Sequence, residues 1–249
     1  MATNQAQTID TILGGVLTVV QPYSGYRFAI DAILLAHFAR PPQRARVLEL
    51  GAGCGVVSLV LAAMHHPTQV DAVELQPRLA ELITRNAVLN RISAVRAICA
   101  DLRRVIPELA QAGFDYVVAN PPYRATRRGR ESPDQERWIA RGGGGATLAE
   151  FIAAAVRHAR HGGKVAMVFT ASRTAELIAE LKQRSLEPKR LRFVHARPGE
   201  AATMVLVEAR KGAGIEVAVE PPLFIHTSPG AYSDEVRAML TGMHMARLG

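Results

Sequence analysis

The sequence predicts an α/β protein built on a doubly wound sheet of about seven strands, with an antiparallel hairpin toward the C-terminus. Three observations point there. Short β-branched runs alternate with helical patterns from residue 45 onward. A glycine-rich turn, GAGCG, stands directly between the first such run and the first such helix. Two late apolar runs follow one another with no helix between them. Alternation of this kind implies parallel βαβ units with helices on both faces of the sheet.

The elements follow in order. Residues 46–50 (RVLEL) form the first core strand, and residues 56–64 the helix after the glycines. A second strand spans residues 70–74 (VDAVE), and a helix with apolar periodicity spans residues 77–90. Residues 95–100 are a third strand, 102–112 a short helix, and 114–119 a fourth strand. A glycine run at residues 142–145 precedes an amphipathic helix over 147–160, which His161-Gly162-Gly163 should stop. Residues 164–170 are the fifth strand, 173–184 a helix, and 190–196 with 203–209 the hairpin. The tail from Gly212 carries Pro221-Pro222 and a short helical pattern over 233–241. Ahead of the core, Asp31 is a candidate N-cap for a helix over residues 32–39. One domain over 1–249 is expected: a lead-in to residue 44, a core over 45–170 and a C-terminal part over 171–249.

Composition narrows the function. With 49% hydrophobic and 21% charged residues, the chain of 249 can bury a full core. Its apolar runs are too short to cross a bilayer, and its N-terminus shows no secretory pattern. Only two cysteines occur, Cys54 and Cys99, without metal-type spacing, which suits a cytoplasmic protein with reduced thiols and no bound metal. A formal net charge of +8 favours a polyanionic partner, RNA or DNA.

Residues 117–130 read VVANPPYRATRRGR. Two prolines supply no N–H, so the strand ends there, and the residue before a proline is pushed toward an extended conformation. Asn120 therefore projects from the strand tip, with Tyr123 three residues on. By itself N-P-P-Y is equally a rigid strand-ending turn. Its placement matters, because doubly wound sheets bind ligands outside the carboxyl ends of their strands, near the switch point. The glycines lie at such an end too.

The pattern E-x-G-x-G-x-G, with Glu49, Gly51, Gly53 and Gly55, differs from the dinucleotide fingerprint, whose last glycine is replaced by Val56. It resembles the cofactor loop of the class I S-adenosylmethionine-dependent methyltransferases, which carry a Rossmann-like sheet. That resemblance implies a cofactor site of Glu49, Gly51, Ala52, Gly53 and Gly55. Glu74 and Leu75 would lie at the ribose, Asp101 and Leu102 at the adenine, and Asn120 at the methyl group. Arg27 and Asp31 are then candidates at the methionine end. Each acid singly is also explained as a cap; three at successive strand tips are not.

N-P-P-Y after such a loop resembles the signature of methyltransferases acting on planar nitrogens, adenine N6 or a glutamine amide. The resemblance implies a catalytic set of Asn120, Pro121, Pro122 and Tyr123. The amide oxygen of Asn120 and the Pro121 carbonyl would accept the two N–H groups of a poorly nucleophilic amine, and Tyr123 would stack on its ring. Arg124, Arg127, Arg128 and Arg130, with Trp138 beyond them, read either as a phosphate-holding surface or as a solvated loop.

Finally, QPYSGYRFAIDAILLAHFA, VLELGAGCGVVSLVLA, DAVELQP, FDYVVANPPY, HARPGEAATMVLVEARKG and PLFIH with GAYSDEVRAML occur in an order similar to that of the bacterial valine-tRNA adenine-N6 methyltransferases. This implies N6 methylation of the adenine 3′ to the anticodon of a tRNA. Methylation of adenine in rRNA or DNA, or of a glutamine amide in a protein, uses the same core. A non-catalytic RNA-binding module is the alternative of another class. The oligomeric state is left open.

Overall fold

The computed structural model describes residues 6–23, 27–67, 69–109, 113–122 and 145–242. The chain opens with an antiparallel hairpin, β1 (Gln7–Ile12) and β2 (Leu17–Pro22), in which Ile12 pairs with Leu17. Then come α1 (Ile30–Phe38), β3 (Arg46–Leu50), α2 (Val56–His65), β4 (Gln69–Glu74), α3 (Pro77–Leu89), β5 (Val95–Cys99) and β6 (Phe114–Ala119). The second half contributes α4 (Leu148–His158), β7 (Ala159–Thr170), α5 (Thr174–Gln183), β8 (Leu186–His195) and β9 (Ala202–Lys211). It ends in four short strands, β10 (Ala218–Val219), β11 (Leu223–Phe224), β12 (His226–Ser228) and β13 (Ala231–Tyr232), and α6 (Asp234–Thr241).

The main sheet runs β10-β8-β9-β7-β6-β3-β4-β5, with β11 also pairing with β8. Strands β5, β4, β3, β6 and β7 are mutually parallel, and β9 enters antiparallel between β7 and β8. Seven long strands plus the two-residue β10 and β11 thus realise the expected sheet and its C-terminal hairpin. The order reverses at β3, which has β4 on one side and β6 on the other. Ligands of doubly wound sheets bind at that switch point.

Both faces of the sheet are covered, so its strands read as unbroken apolar runs rather than alternating ones. Val47, Val70, Tyr116, Val118 and Val168 face α1, α2 and α3. Leu48, Leu50, Val117, Val165 and Phe169 face α4 and α5 with Phe151, Ile152, Leu177 and Leu181. The helices begin where local chemistry allows. Pro77 sits in the first turn of α3, and Thr147 with Glu150 forms a capping box for α4. Ser233 accepts the Val236 N–H at 3.2 Å to start α6.

Three expectations are corrected. No helix spans 102–109; among the described residues only a 3-10 turn, Pro107–Leu109, forms there. Leu102, Ile106 and Leu109 are buried, as helical spacing implied, but Pro107 interrupts the backbone ladder a helix would need. Asp31 is not the N-cap of α1: that position is Ala29, in extended conformation, and Asp31 lies inside the first turn. Its Oδ1 accepts the Ala32 N–H at 2.8 Å. Helix α4 does stop at His158, but β7 begins at once, and the register between Phe114 and Tyr116 shifts to absorb the extra residues. Gly162, at φ 74°, serves that bulge rather than a helix cap.

Candidate active site

Four adjacent parallel strands end together. Leu50 pairs with Ala119 on one side and with Val73 on the other, and Glu74 pairs with Cys99. The residues just past these ends are Gly51, Asn120, Leu75 and Ala100. Strands are about 4.8 Å apart, so Asn120 follows a strand one spacing from the glycine turn and about three spacings from the strand carrying Asp101.

The glycine turn is fixed first by its own backbone. Gly51, Gly53 and Gly55 have φ of 71°, 58° and 86°, a region other residues enter only under strain. The Gly51 and Ala52 N–H groups both donate to the Val73 carbonyl, at 2.9 and 3.0 Å, and Gly55 N–H closes a turn onto Ala52 at 2.9 Å. A Cβ on Gly51 would stand 3.0 Å from the Phe151 ring, and one on Gly55 3.1 Å from Ile83. Packing against Phe151 and Ile83, as well as positive φ, thus requires glycine at these two positions of the turn.

Two carboxylates support it from below and from the side. Glu49 is 3% exposed, and its Oε2 accepts both the N–H and the Oγ–H of Ser58, in the first turn of α2. Burial pushes its carboxyl up to about 8, against the lowering effect of the Ser58 bonds, and the neighbouring Glu74 carboxylate adds to the rise. Glu74, 6% exposed, accepts the Gly53 N–H at 2.8 Å and the Gln76 N–H at 2.9 Å. Burial raises its carboxyl as well, opposed by those bonds. Between them Cys54 is fully buried; desolvation pushes its thiol up to about 12, the two carboxylates add to this, and the Arg27 charge opposes it.

The remaining expected site residues fall as follows. Ala52, Gly53 and Gly55 are buried and Gly51 half-buried; Leu75 is half-buried and Leu102 buried. Asp101 is half-buried, and Arg103 already holds both its oxygens: Nε at 2.9 and 3.0 Å, Nη2 at 2.7 Å and the backbone N–H at 3.0 Å. The Arg103 hydrogen bond outweighs partial burial and holds the Asp101 carboxyl below its ordinary value. Asp101 thus caps a turn, not a helix. Arg27 is exposed and turned to the hairpin, donating to Thr8 Oγ1 at 2.8 Å and Pro22 O at 3.2 Å, with Asp10 at 3.5 Å. Asn120 is half-buried, Pro121 buried and Pro122 exposed. Tyr123, Arg124, Arg127, Arg128, Arg130 and Trp138 lie outside the described residues.

Sequence reasoning missed Ser58, Phe151 and Asn86. Ser58 is three residues past the last glycine and gave no signal. Phe151 arrives from a helix about a hundred residues downstream. Asn86, fully buried on α3, donates to the Cys54 carbonyl at 3.0 Å. An asparagine on the apolar side of a helix was a visible anomaly. No helix among the described residues is long and apolar enough to cross a membrane.

The family model for the methyltransferase small domain matches residues 28–187. A relative from Aeromonas hydrophila, named tRNA1(Val) (adenine(37)-N6)-methyltransferase, is 29% identical over 209 residues, covering 82% of this chain and 84% of its own. One of the same name from Tolumonas auensis is 28% identical over 211 residues, covering 84% and 86%. Among solved structures, a "predicted O-methyltransferase" from Agrobacterium tumefaciens shares the fold with a TM-score of 0.68 at 24% identity, covering 85% of this chain and 96% of its own. The chain belongs to the methyltransferase small domain family and is an S-adenosylmethionine-dependent methyltransferase.

Proposed function

We propose that the protein methylates the exocyclic N6 amine of adenine in RNA, and that its substrate is a tRNA, the adenine 3′ to the anticodon of valine tRNA. One observation carries the chemistry: the Leu50–Ala119 pairing, which sets Asn120-Pro121-Pro122 one strand from the glycine turn. The names of the Aeromonas and Tolumonas relatives and the net charge of +8 support a tRNA partner.

In this reading the bound cofactor supplies an electrophilic methyl group, and the chain supplies orientation and charge stabilisation. The adenine amine is a poor nucleophile because its lone pair is delocalised into the ring. Asn120 Oδ1 and the Pro121 carbonyl accept its two N–H groups, localise that lone pair and stabilise the positive charge that develops on nitrogen. The two prolines fix the acceptors in advance, so little orientation entropy is lost at the barrier. The surplus proton leaves nitrogen after transfer, so no side chain of unusual basicity is required. Arg124, Arg127, Arg128 and Arg130 hold phosphates, and Tyr123 and Trp138 stack on bases.

Incubation with total cellular RNA and protein and isotopically labelled methyl donor, then fractionation and nucleoside and peptide mass spectrometry, tests this. N6-methyladenosine in valine tRNA is the expected product. Label in rRNA or in a protein glutamine, with none in tRNA, would replace the substrate and leave the fold and cofactor in place.

A further inference from the structure

Asn86 within α3 and Asn90 at its C-cap stand one helical turn apart, and both reach across to β2. Asn86 Oδ1 accepts the Val20 N–H at 2.8 Å, and its Nδ2 donates to the Val20 carbonyl at 3.0 Å. Asn90 repeats the pattern on Thr18, at 2.8 and 2.7 Å. A carboxamide offers one acceptor and two donors, so each stands in for the residue a neighbouring strand would have supplied. The spacings agree: four residues of helix rise about 6 Å, and two residues of strand about 6.6 Å. The edge of β2 that β1 leaves open is therefore closed by the side chains of a helix.

Each amide has a second donor hydrogen, and the two are used differently. That of Asn90 returns to α3, on the Asn86 carbonyl at 2.7 Å. That of Asn86 goes to the Cys54 carbonyl at 3.0 Å, in the glycine turn between Gly53 and Gly55. Next to Val20, the buried Gln21 accepts the Phe28 N–H at 3.2 Å and donates to Asp10 at 2.7 Å. One fully buried amide thus joins the cofactor turn to a hairpin whose next bond holds the segment entering α1.

We propose that Asn86 is a positioning residue for the cofactor, whose amide couples seating of the β1–β2 hairpin to the shape of the glycine turn. Binding of S-adenosylmethionine then tightens the hairpin, and a seated hairpin tightens the cofactor, by the same factor. The coupling rests on the cofactor assignment of the turn and is independent of which substrate nitrogen is methylated.

Two isosteric variants separate coupling from edge closure, because each keeps the acceptor for β2 and loses the donors. Asn86→Asp should raise the calorimetric Kd for S-adenosylmethionine about tenfold, the effect of one buried hydrogen bond. Asn90→Asp, whose amide makes no bond to the turn, loosens the hairpin alone and should weaken binding less, by about twofold. Hydrogen exchange on the unmodified protein gives a second reading that needs no variant: saturating S-adenosylmethionine should slow the Thr18 and Val20 amides. Equal weakening by both variants, or unchanged exchange at Val20 on cofactor binding, would overturn the coupling and leave only a closed strand edge. Absence of any cofactor binding by the unmodified protein would instead remove the cofactor assignment itself.

Discussion

The Glu74 carboxylate accepts the backbone N–H of Gly53 at 2.8 Å. Through this bond the tip of β4 sets the height of the glycine turn that follows β3, and the acid becomes part of the turn it flanks. Its other oxygen takes the Gln76 N–H, so the loop after β4 is held by the same group.

Glu74→Gln tests this. The replacement has one oxygen where the carboxylate has two, so either Gly53 or Gln76 loses its acceptor. An orphaned buried N–H costs about 1–3 kcal/mol. Calorimetry should show S-adenosylmethionine binding weakened about tenfold or more, with a lowered melting temperature. Unchanged affinity would show that Glu74 supports the turn without helping the cofactor.

Glu49 gives a pH dependence with a definite sign. Its carboxyl sits at about 8 in the folded protein against an ordinary 4.5, chiefly through burial. Between those values the unfolded chain has released the proton and the folded chain still holds it. This stabilisation is complete below about 4.5, declines as pH rises and is gone above about 8. Glu49→Gln keeps an acceptor for Ser58 and removes the proton, so its melting temperature should gain on the unmodified protein steadily from pH 5 to pH 8. A difference constant across that range would mean that Glu49 does not titrate there.

Much of this site was legible because its requirements are local. A backbone that turns back on itself three times within five residues needs positive φ, and glycine at 51, 53 and 55 announces it. Proline at 121 and 122 likewise announces a strand end. The β1–β2 hairpin was not legible. QTIDTI lacks period-two alternation, and half of what holds β2 is an asparagine pair about seventy residues away. The helix expected after Asp101 shows the opposite failure. Leu102, Ile106 and Leu109 had the right spacing and are buried, yet Pro107 denies them the helix. Burial follows from side chains, whereas the path of the backbone follows from its hydrogen-bond donors.

Gly51 carries two constraints that can be taken apart. At φ 71° a Cβ costs about 1–3 kcal/mol in strain, and it would also stand 3.0 Å from Phe151 Cε1 and Cζ. Gly51→Ala should lower the melting temperature and weaken cofactor binding. Adding Phe151→Leu should recover the part due to the contact and none of the part due to φ. Full recovery in the double variant would place the whole cost in the contact, and no recovery would place it in the backbone.

Under the proposed function, Asn120 should separate binding from chemistry. It follows Ala119, which pairs with Leu50, so it borders the glycine turn without belonging to it. Among the described residues, none of the hydrogen bonds that shape the glycine turn comes from its side chain: those come from Ala52, Val73, Glu74 and Asn86. Removing the amide by Asn120→Ala should therefore leave the calorimetric Kd for S-adenosylmethionine within about twofold. It should cut single-turnover transfer by about 10²–10³-fold, the usual effect of deleting one preorganised group that meets developing charge. Asn120→Asp keeps an acceptor oxygen and should retain more activity than alanine. Wild-type turnover in the alanine variant would show that the Pro121 carbonyl orients the amine without it, and a matching loss of cofactor affinity would move Asn120 from the chemistry into the cofactor site.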